Sequence, residues 1–330
     1  MKTPRCLPQQ LSGRPFTVAE AAHAGVSKGR LRHRSLRLMG RGIRGQGTTA
    51  ALALGARVRP FVEVNEQCAA SHTTAAELHG LPTRTRRLGE AEVFHVIRPE
   101  GAAHLKRPHV VVHRAKLLPG EITRVGGVPV TTPARTWLDL AERITLDELV
   151  AVGDACVRTP YPELEGREEP HCTLEALRDI VARHRGKRGI RKARLALGLI
   201  RVGSDSPQET ALRLALLRGG LPEPVLNARI VGRHGQRGPK ADIGYPAYGV
   251  GVEYEGEHHG TEPQIVRDIA RSESYDDVGW AEVRISKRHM ANDAKAAVAK
   301  VRTALFLRGW RPGKASAGAS TPSSTAPQVS

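Results

Sequence analysis

Three carboxylates crowd into one short stretch of the chain: Asp242 in Ala241-Asp242-Ile243-Gly244-Tyr245, and Glu253 and Glu255 in Val250-Gly251-Val252-Glu253-Tyr254-Glu255-Gly256. A turn at Pro246–Gly249 separates the two segments, which therefore read as a β-hairpin. The strand period of two puts Val250, Val252 and Tyr254 on one face and Gly251, Glu253 and Glu255 on the other. Clustered carboxylates repel, and burying an unpaired charge is costly. A divalent cation resolves that conflict. Mg²⁺ (or Mn²⁺) would take Asp242, Glu253 and Glu255 as ligands, keep water for chemistry, activate it and stabilise the charge developing on a phosphate. The plain alternative is a solvent-facing acidic strand. Against it, Asp and Glu are poor strand formers, and the surrounding chain is basic.

Neighbouring residues extend the candidate site. Ser206-Pro207-Gln208-Glu209 is a capping box, with Ser at the N-cap, Pro at the first helical position and Glu at the third. Glu209 could assist the carboxylates, and the capping box alone also accounts for it. His258 and His259 follow Gly256; a histidine there could act as a general base, as a further ligand or only as a surface residue. The polar loop Gly232–Lys240 carries Arg233, Arg237 and Lys240, which could steer a nucleic-acid strand.

The elements that must position these groups follow from pattern. A helix from Ser206 to Arg218 stops at Gly219-Gly220. A strand is predicted over Val225–Val231, then the hairpin, a helix over Pro263–Val278, a strand over Trp280–Ser286 and a helix over Ala291–Arg308. The order is helix, strand, hairpin, helix, strand, helix.

The rest of the chain suggests the partner. The 330 residues carry a formal net charge of +18, and the pI is about 10.5. Such an excess attracts polyanions, and phosphate neutralisation supplies most nonspecific affinity for nucleic acid. Phe16–Gly45 reads as helix, glycine turn, helix. Thr17 caps Val18–Ala24, and Ser27 caps Gly29–Leu38, whose Lys28, Arg30, Arg32 and Arg34 form a basic face suited to DNA. Met39–Arg44 could be a wing strand. A helical hairpin with a solvated basic face has the same spacing. An RNA-directed role is disfavoured, because paired aromatic platforms are lacking.

Between these ends, Thr48–Arg57 and Cys68–Gly80 are expected as helices, and Val93–Ile97 and Val110–His113 as strands. Further helices are expected after Pro133 and over Thr145–Val157, Thr173–Arg183 and Gly189–Ile200. Arg158–Pro170 reads as a linker, and Arg185–Arg194 is a dense basic stretch. No catalytic constellation is visible in this middle region. The four cysteines form no C-x-x-C pair, which argues against a zinc ribbon or disulfide framework and fits a cytoplasmic protein. No signal peptide or run of about 20 apolar residues is present, so no membrane association is expected. The expected division is 1–47 (winged helix-turn-helix), 48–158 (α+β), 159–203 (helical linker), 204–308 (nuclease-like) and 309–330 (disordered tail).

At the residues just described, the C-terminal part resembles the very-short-patch-repair-endonuclease-like branch of the PD-(D/E)XK superfamily. The matching features are Pro207-Gln208-Glu209, Ala241-Asp242, Val252-Glu253-Tyr254-Glu255-Gly256, His259, Asp268-x-x-Arg271 and Gly279-Trp280, and they span roughly Ser204–Leu307. The resemblance implies an α/β restriction-endonuclease-like core acting as a Mg²⁺-dependent DNA endonuclease. Asp242 and Glu253 would be the core ligands, Glu209 would assist and His259 would be the base. Glu255 stands where the superfamily has lysine, so an inactive nuclease fold in a DNA-binding regulator is the alternative. The N-terminal stretch, including Phe16–Gly45, Ala70-Ser71-His72 and Thr132-Pro133-Ala134-Arg135-Thr136, resembles chains with an AbiEi-type antitoxin winged helix, which implies DNA binding. Paired half-sites would then suggest a homodimer.

Overall fold

The computed structural model describes residues 6–46, 52–64, 67–83, 92–232, 234–255 and 262–313. The chain forms two compact units, one ending at Ile200 and the other starting at Arg201. Both mix helices and sheets.

The first unit opens with β1 (Phe16–Thr17), α1 (Val18–His23), α2 (Lys28–Leu31), β2 (Arg37–Gly40) and β3 (Ile43–Gly45). Thr17 and Glu20 form a reciprocal capping box at the start of α1, which satisfies two of the helix's unpaired N–H groups. The three strands pair antiparallel in the order β1-β3-β2. The helix expected over Gly29–Leu38 is shorter. Ser27 caps α2, but the chain turns at Arg32–Ser35, so that Leu36 enters the small core of Leu11, Phe16, Ala21 and Leu31. Arg37–Gly40 then becomes one arm of a hairpin whose tight turn contains Gly42 at φ +80°.

The same unit continues with α3 (Leu54–Glu63), β4 (Ala69–Ala70), α4 (His72–Leu78), β5 (Phe94–Pro99), β6 (Val110–Ala115), β7 (Ile122–Val125) and β8 (Val128–Thr131). These five strands form a mixed sheet in the order β6-β5-β4-β8-β7. Then come α5 (Pro133–Leu140), α6 (Leu146–Val157), α7 (Pro162–Glu165), α8 (Leu174–Arg183) and α9 (Ile190–Leu199). The segment expected as one helix from Cys68 is a short strand followed by a helix, because Ala69 and Ala70 pair with Ile97 and Val96 in the sheet. The expected linker 158–170 contains α7, tied by Arg158 and Arg167 to Glu165. Ile43 of the hairpin packs with Phe61, Phe94, Val96 and Val128 in one core.

The second unit runs α10 (Pro207–Arg218), β9 (Val225–Val231), β10 (Arg237–Tyr245), β11 (Val250–Glu255), α11 (Glu262–Asp277), β12 (Ala281–Ser286) and α12 (Lys295–Leu307). This is the expected order. The sheet order is β12-β11-β10-β9, with β11 parallel to β12 and the other pairs antiparallel. Leu212 and Leu216 of α10 and Val298, Val301 and Leu305 of α12 pack with Ile243, Val252, Val283 and Ile285. Tyr275 of α11 packs with Ile230, Val278 and Trp280 in a separate cluster. Part of the expected loop Gly232–Lys240 is strand, so Arg237 and Lys240 lie on β10. The last helix begins at Lys295, later than expected, because Asn292, Asp293 and Ala294 all take left-handed φ between 52° and 57°. Trp310 is buried in the core of this unit; residues 314–330 of the expected tail lie outside the described residues.

Candidate functional site

The hairpin of β10 and β11 places Ile243 opposite Val252 and Gly244 opposite Gly251. Continuing that register sets Asp242 across from Glu253, on the face that carries the two glycines. The backbone N–H of Tyr254 donates to Asp242 Oδ2 at 2.8 Å. Glu253 is buried and receives two donors on Oε1: the Tyr275 hydroxyl at 2.6 Å and Arg271 Nη2 at 2.6 Å. Arg271 also donates to the carbonyl of Lys240 at 2.7 Å, so it ties α11 to β10 and β11 together. The absence of a side chain at Gly251 makes room for Tyr275: a Cβ there would lie 2.6 Å from its ring.

Glu209 enters from the first turn of α10. Its Oε1 accepts from Ser206 Oγ at 2.8 Å and its Oε2 from the Asp205 N–H at 2.8 Å. Glu209 thus serves the cap of the helix and also sits in the field of Asp242. Burial, opposed by the hydrogen bond from Asp205 and reinforced by the Asp242 charge, pushes its carboxyl up to about 7. Burial also raises Asp242 and Glu253 above the usual carboxylate range, despite the Tyr254 N–H at one and Arg271 and Tyr275 at the other. Two buried carboxyls and the half-buried Asp242, all of which resist ionisation, mark a place where added positive charge is favourable.

Glu255 does not join them. It is exposed at the end of β11, with Arg284 Nη1 at 3.3 Å from Oε1. Of the three expected ligands, Asp242 and Glu253 face one another across the hairpin, and Glu255 stands exposed at the strand end. His259 and Arg233 lie outside the described residues. Arg237 and Lys240 are exposed on β10. In the first unit Lys28, Arg32 and Arg34 are exposed, whereas Arg30 is half-buried and donates to Ser35 Oγ at 3.0 Å. The basic face therefore follows a helix-and-turn segment rather than one long helix.

The middle of the chain holds two buried polar clusters that the sequence reading passed over. Arg135, fully buried, donates to Glu121 Oε2 at 2.5 Å, Asp139 Oδ1 at 3.0 Å and the Lys116 carbonyl at 2.9 Å. His184 Nε2 lies 2.7 Å from Glu121 Oε1, and Lys187 Nζ lies 2.9 Å from Asp139 Oδ1. The stretch Thr132-Pro133-Ala134-Arg135-Thr136 is thus both the cap of α5 and the hub of an ion-pair network. The second cluster comprises His72, His95 and His113. These residues are 23 and 18 positions apart in sequence, so no spacing signal could have joined them.

Comparison with known proteins bears on these parts unequally. Residues 68–199 match the family described as the AbiEi antitoxin C-terminal domain. Two uncharacterized proteins of Mycobacterium tuberculosis, one from strain CDC 1551 / Oshkosh and one from strain ATCC 25618 / H37Rv, are each 29% identical over 213 residues. The alignment covers 64% of this chain and 72% of each relative. No solved structure matches the chain. The AbiEi-type resemblance is therefore supported over 68–199, which takes in Ala70-Ser71-His72 and Thr132-Pro133-Ala134-Arg135-Thr136 but not Phe16–Gly45. No comparison supports the repair-endonuclease resemblance of the C-terminal unit. Among the described residues, no helix is long and apolar enough to cross a membrane.

Proposed function

We propose that this chain is a DNA-binding regulator of the antitoxin kind. The observation that carries this reading is the AbiEi antitoxin C-terminal domain match over 68–199, directly preceded by a small helix-and-hairpin unit with exposed Lys28, Arg32 and Arg34. In the proposal this unit is a winged helix-turn-helix: the segment after Ser27 approaches a groove, and the β2–β3 hairpin is the wing. The net charge of +18 supplies the long-range attraction. A homodimer would match a two-fold operator. The test is a mobility shift on the DNA upstream of the protein's own gene. Replacing Lys28, Arg32 and Arg34 together by Glu should weaken binding by at least tenfold and flatten its salt dependence. Unchanged affinity and salt slope would refute the assignment.

A second reading, Mg²⁺- or Mn²⁺-dependent phosphodiester hydrolysis by a restriction-endonuclease-like C-terminal unit, has one specific observation in its favour: Glu209, Asp242 and Glu253 are all held above the usual carboxylate range in one place. The donor set suits a hard dication in part. Asp242 and Glu253 offer carboxylate oxygens, but Arg271 already neutralises Glu253. A bound Mg²⁺ would supply an activated water and stabilise charge on phosphorus. The chain's own part would be to hold Asp242 and Glu253 in register, brace Glu253 through Tyr275 and Arg271, and present Arg237 and Lys240 to the strand. Metal-dependent plasmid cleavage that disappears in Asp242→Ala would establish this reading. DNA binding without cleavage would leave the regulator alone.

A further inference from the structure

The three histidines in the middle region come from three different elements. His72 is the first residue of α4, His95 lies on β5 and His113 on the adjacent parallel strand β6. One ring nitrogen from each can be chosen so that all three lie within 4.8 Å of one another. His95 Nδ1 and His113 Nε2 are 2.9 Å apart, and the rings of His72 and His113 lie 3.6 Å apart, centroid to centroid. His72 is 1% exposed, and its Nε2 is buried with no hydrogen-bond partner. An unsatisfied buried ring nitrogen is unusual in a folded protein. The same residue holds φ at +51°, a backbone conformation that costs a β-carbon-bearing residue free energy and concentrates at functional positions. Glu142 Oε1 stands 3.5 Å from that nitrogen.

These are the donors of a first-row transition metal. With Zn–N bonds of about 2.0–2.1 Å, tetrahedral ligands stand roughly 3.3–3.4 Å apart. The 3.5 Å between His72 and Glu142 is close to that edge; the 2.9 Å between His95 and His113 needs those rings to part by a few tenths of an ångström. Imidazole binds metal in its neutral form. Burial, aided by Arg143 at both and by His95 at His113, holds His95 and His113 down at about 4, so both rings are neutral near pH 7. Arg143 and Lys187 add positive charge nearby and work against a cation, which makes the Glu142 carboxylate essential to the balance. Glu142 also lines a cleft of about 420 Å³ whose other charged residues are mostly Arg and Lys.

We propose that His72, His95 and His113, together with Glu142, form a binding site for a dication of the zinc class. The site belongs to the first unit, whereas the carboxylates belong to the second, and it does not depend on the DNA-binding reading. In the absence of metal, the His95–His113 contact is an N–H···N hydrogen bond between neutral rings.

The test uses the full chain, stripped with chelator, loaded with Zn²⁺ and desalted, with bound metal counted by mass spectrometry. Asp242→Asn protein runs in parallel to silence the C-terminal carboxylates. One Zn²⁺ per chain is expected in both, falling at least tenfold in His95→Ala and His113→Ala proteins whose circular dichroism is unchanged. Co²⁺ serves as the second probe: wild type should develop intense visible bands of a four-coordinate ion, and X-ray absorption should show imidazole scattering. That measurement on wild type decides the matter even if the histidine variants misfold. No retained metal, retention equal in both histidine variants, or a ligand shell of oxygen alone would overturn the proposal.

Discussion

Arg271 and Glu253 form an ion pair across the second unit, with Nη2 2.6 Å from Oε1, and the same guanidinium nitrogen reaches the Lys240 carbonyl. The contact joins a helix to two strands through one side chain. It also supplies, from within the chain, part of the positive charge that buried carboxylates demand. Arg271→Ala should destabilise the protein by about 2 kcal/mol, less than a fully buried pair because Arg271 is partly exposed. Urea unfolding measures the loss. If the carboxylates accept a dication, millimolar Mg²⁺ should raise the variant's midpoint more than that of the wild type.

Glu209 makes a prediction about pH. Its carboxyl titrates at about 7 in the folded chain, against an unfolded value near 4.3. The folded state therefore holds an extra proton between those values, and this residue's contribution to stability must fall as pH rises from about 4 to about 7, then level off. The window amounts to roughly 4 kcal/mol as an upper bound. Thermal unfolding of Glu209→Gln protein should show the opposite relative trend: the variant gains on the wild type as pH rises from 5 to 8. Parallel pH curves for the two proteins would contradict the raised carboxyl.

Arg135 joins Glu121 to Asp139, so truncating it removes the cation they share and leaves Glu121 with His184 and Asp139 with Lys187. Burial raises the Glu121 carboxyl, but hydrogen bonds from His184 and Leu118 and the Arg135 charge outweigh it and hold the group below its usual range. Its contribution is therefore present above the unfolded carboxylate value and is lost as pH falls through the lower folded one. Arg135→Ala should cost about 3–5 kcal/mol. Chemical denaturation at neutral pH is the measurement, and a loss under about 1 kcal/mol would mean that water replaces the guanidinium.

Gly251→Ala tests the fit of α11 over the hairpin. The added methyl meets the Tyr275 ring at 2.6 Å, so the ring must move and its hydroxyl must leave Glu253. The expected cost is about 1–3 kcal/mol from overpacking. Tyr275→Phe, which keeps the ring and removes only the hydroxyl, should cost less. The reverse ranking would show that the hydrogen bond, not the packing, sets the position of the helix.

The C-terminal unit was legible in detail because its signals are local. The Ser206 capping box, the Gly219-Gly220 stop and the alternating Val250, Val252 and Tyr254 each fix an element without reference to the rest of the chain. Alternation assigns a face but not a depth: Glu253 is buried against Tyr275, while Glu255 is exposed at the strand end. The basic helix was drawn too long because Leu36 reads as one more apolar helical position, when in fact a turn carries it into the core. The middle region was opaque for a different reason. His95 and His113 meet through the parallel pairing of β5 and β6, and Glu121 meets Arg135 and His184 through the packing of helices 14 and 63 residues away; periodicity carries no information about either.

Ile43 bears on how such a chain can be assembled from parts. It belongs to the N-terminal hairpin, yet it is fully buried in a core shared with Phe61, Phe94 and Val128. Arg107 further fastens the hairpin by donating to the Arg41 carbonyl at 2.5 Å. A recombination breakpoint placed between the hairpin and the five-stranded sheet would cut through hydrophobic packing rather than through a tether. Exchanging the hairpin by itself would therefore open this core, whose residues all belong to the first unit.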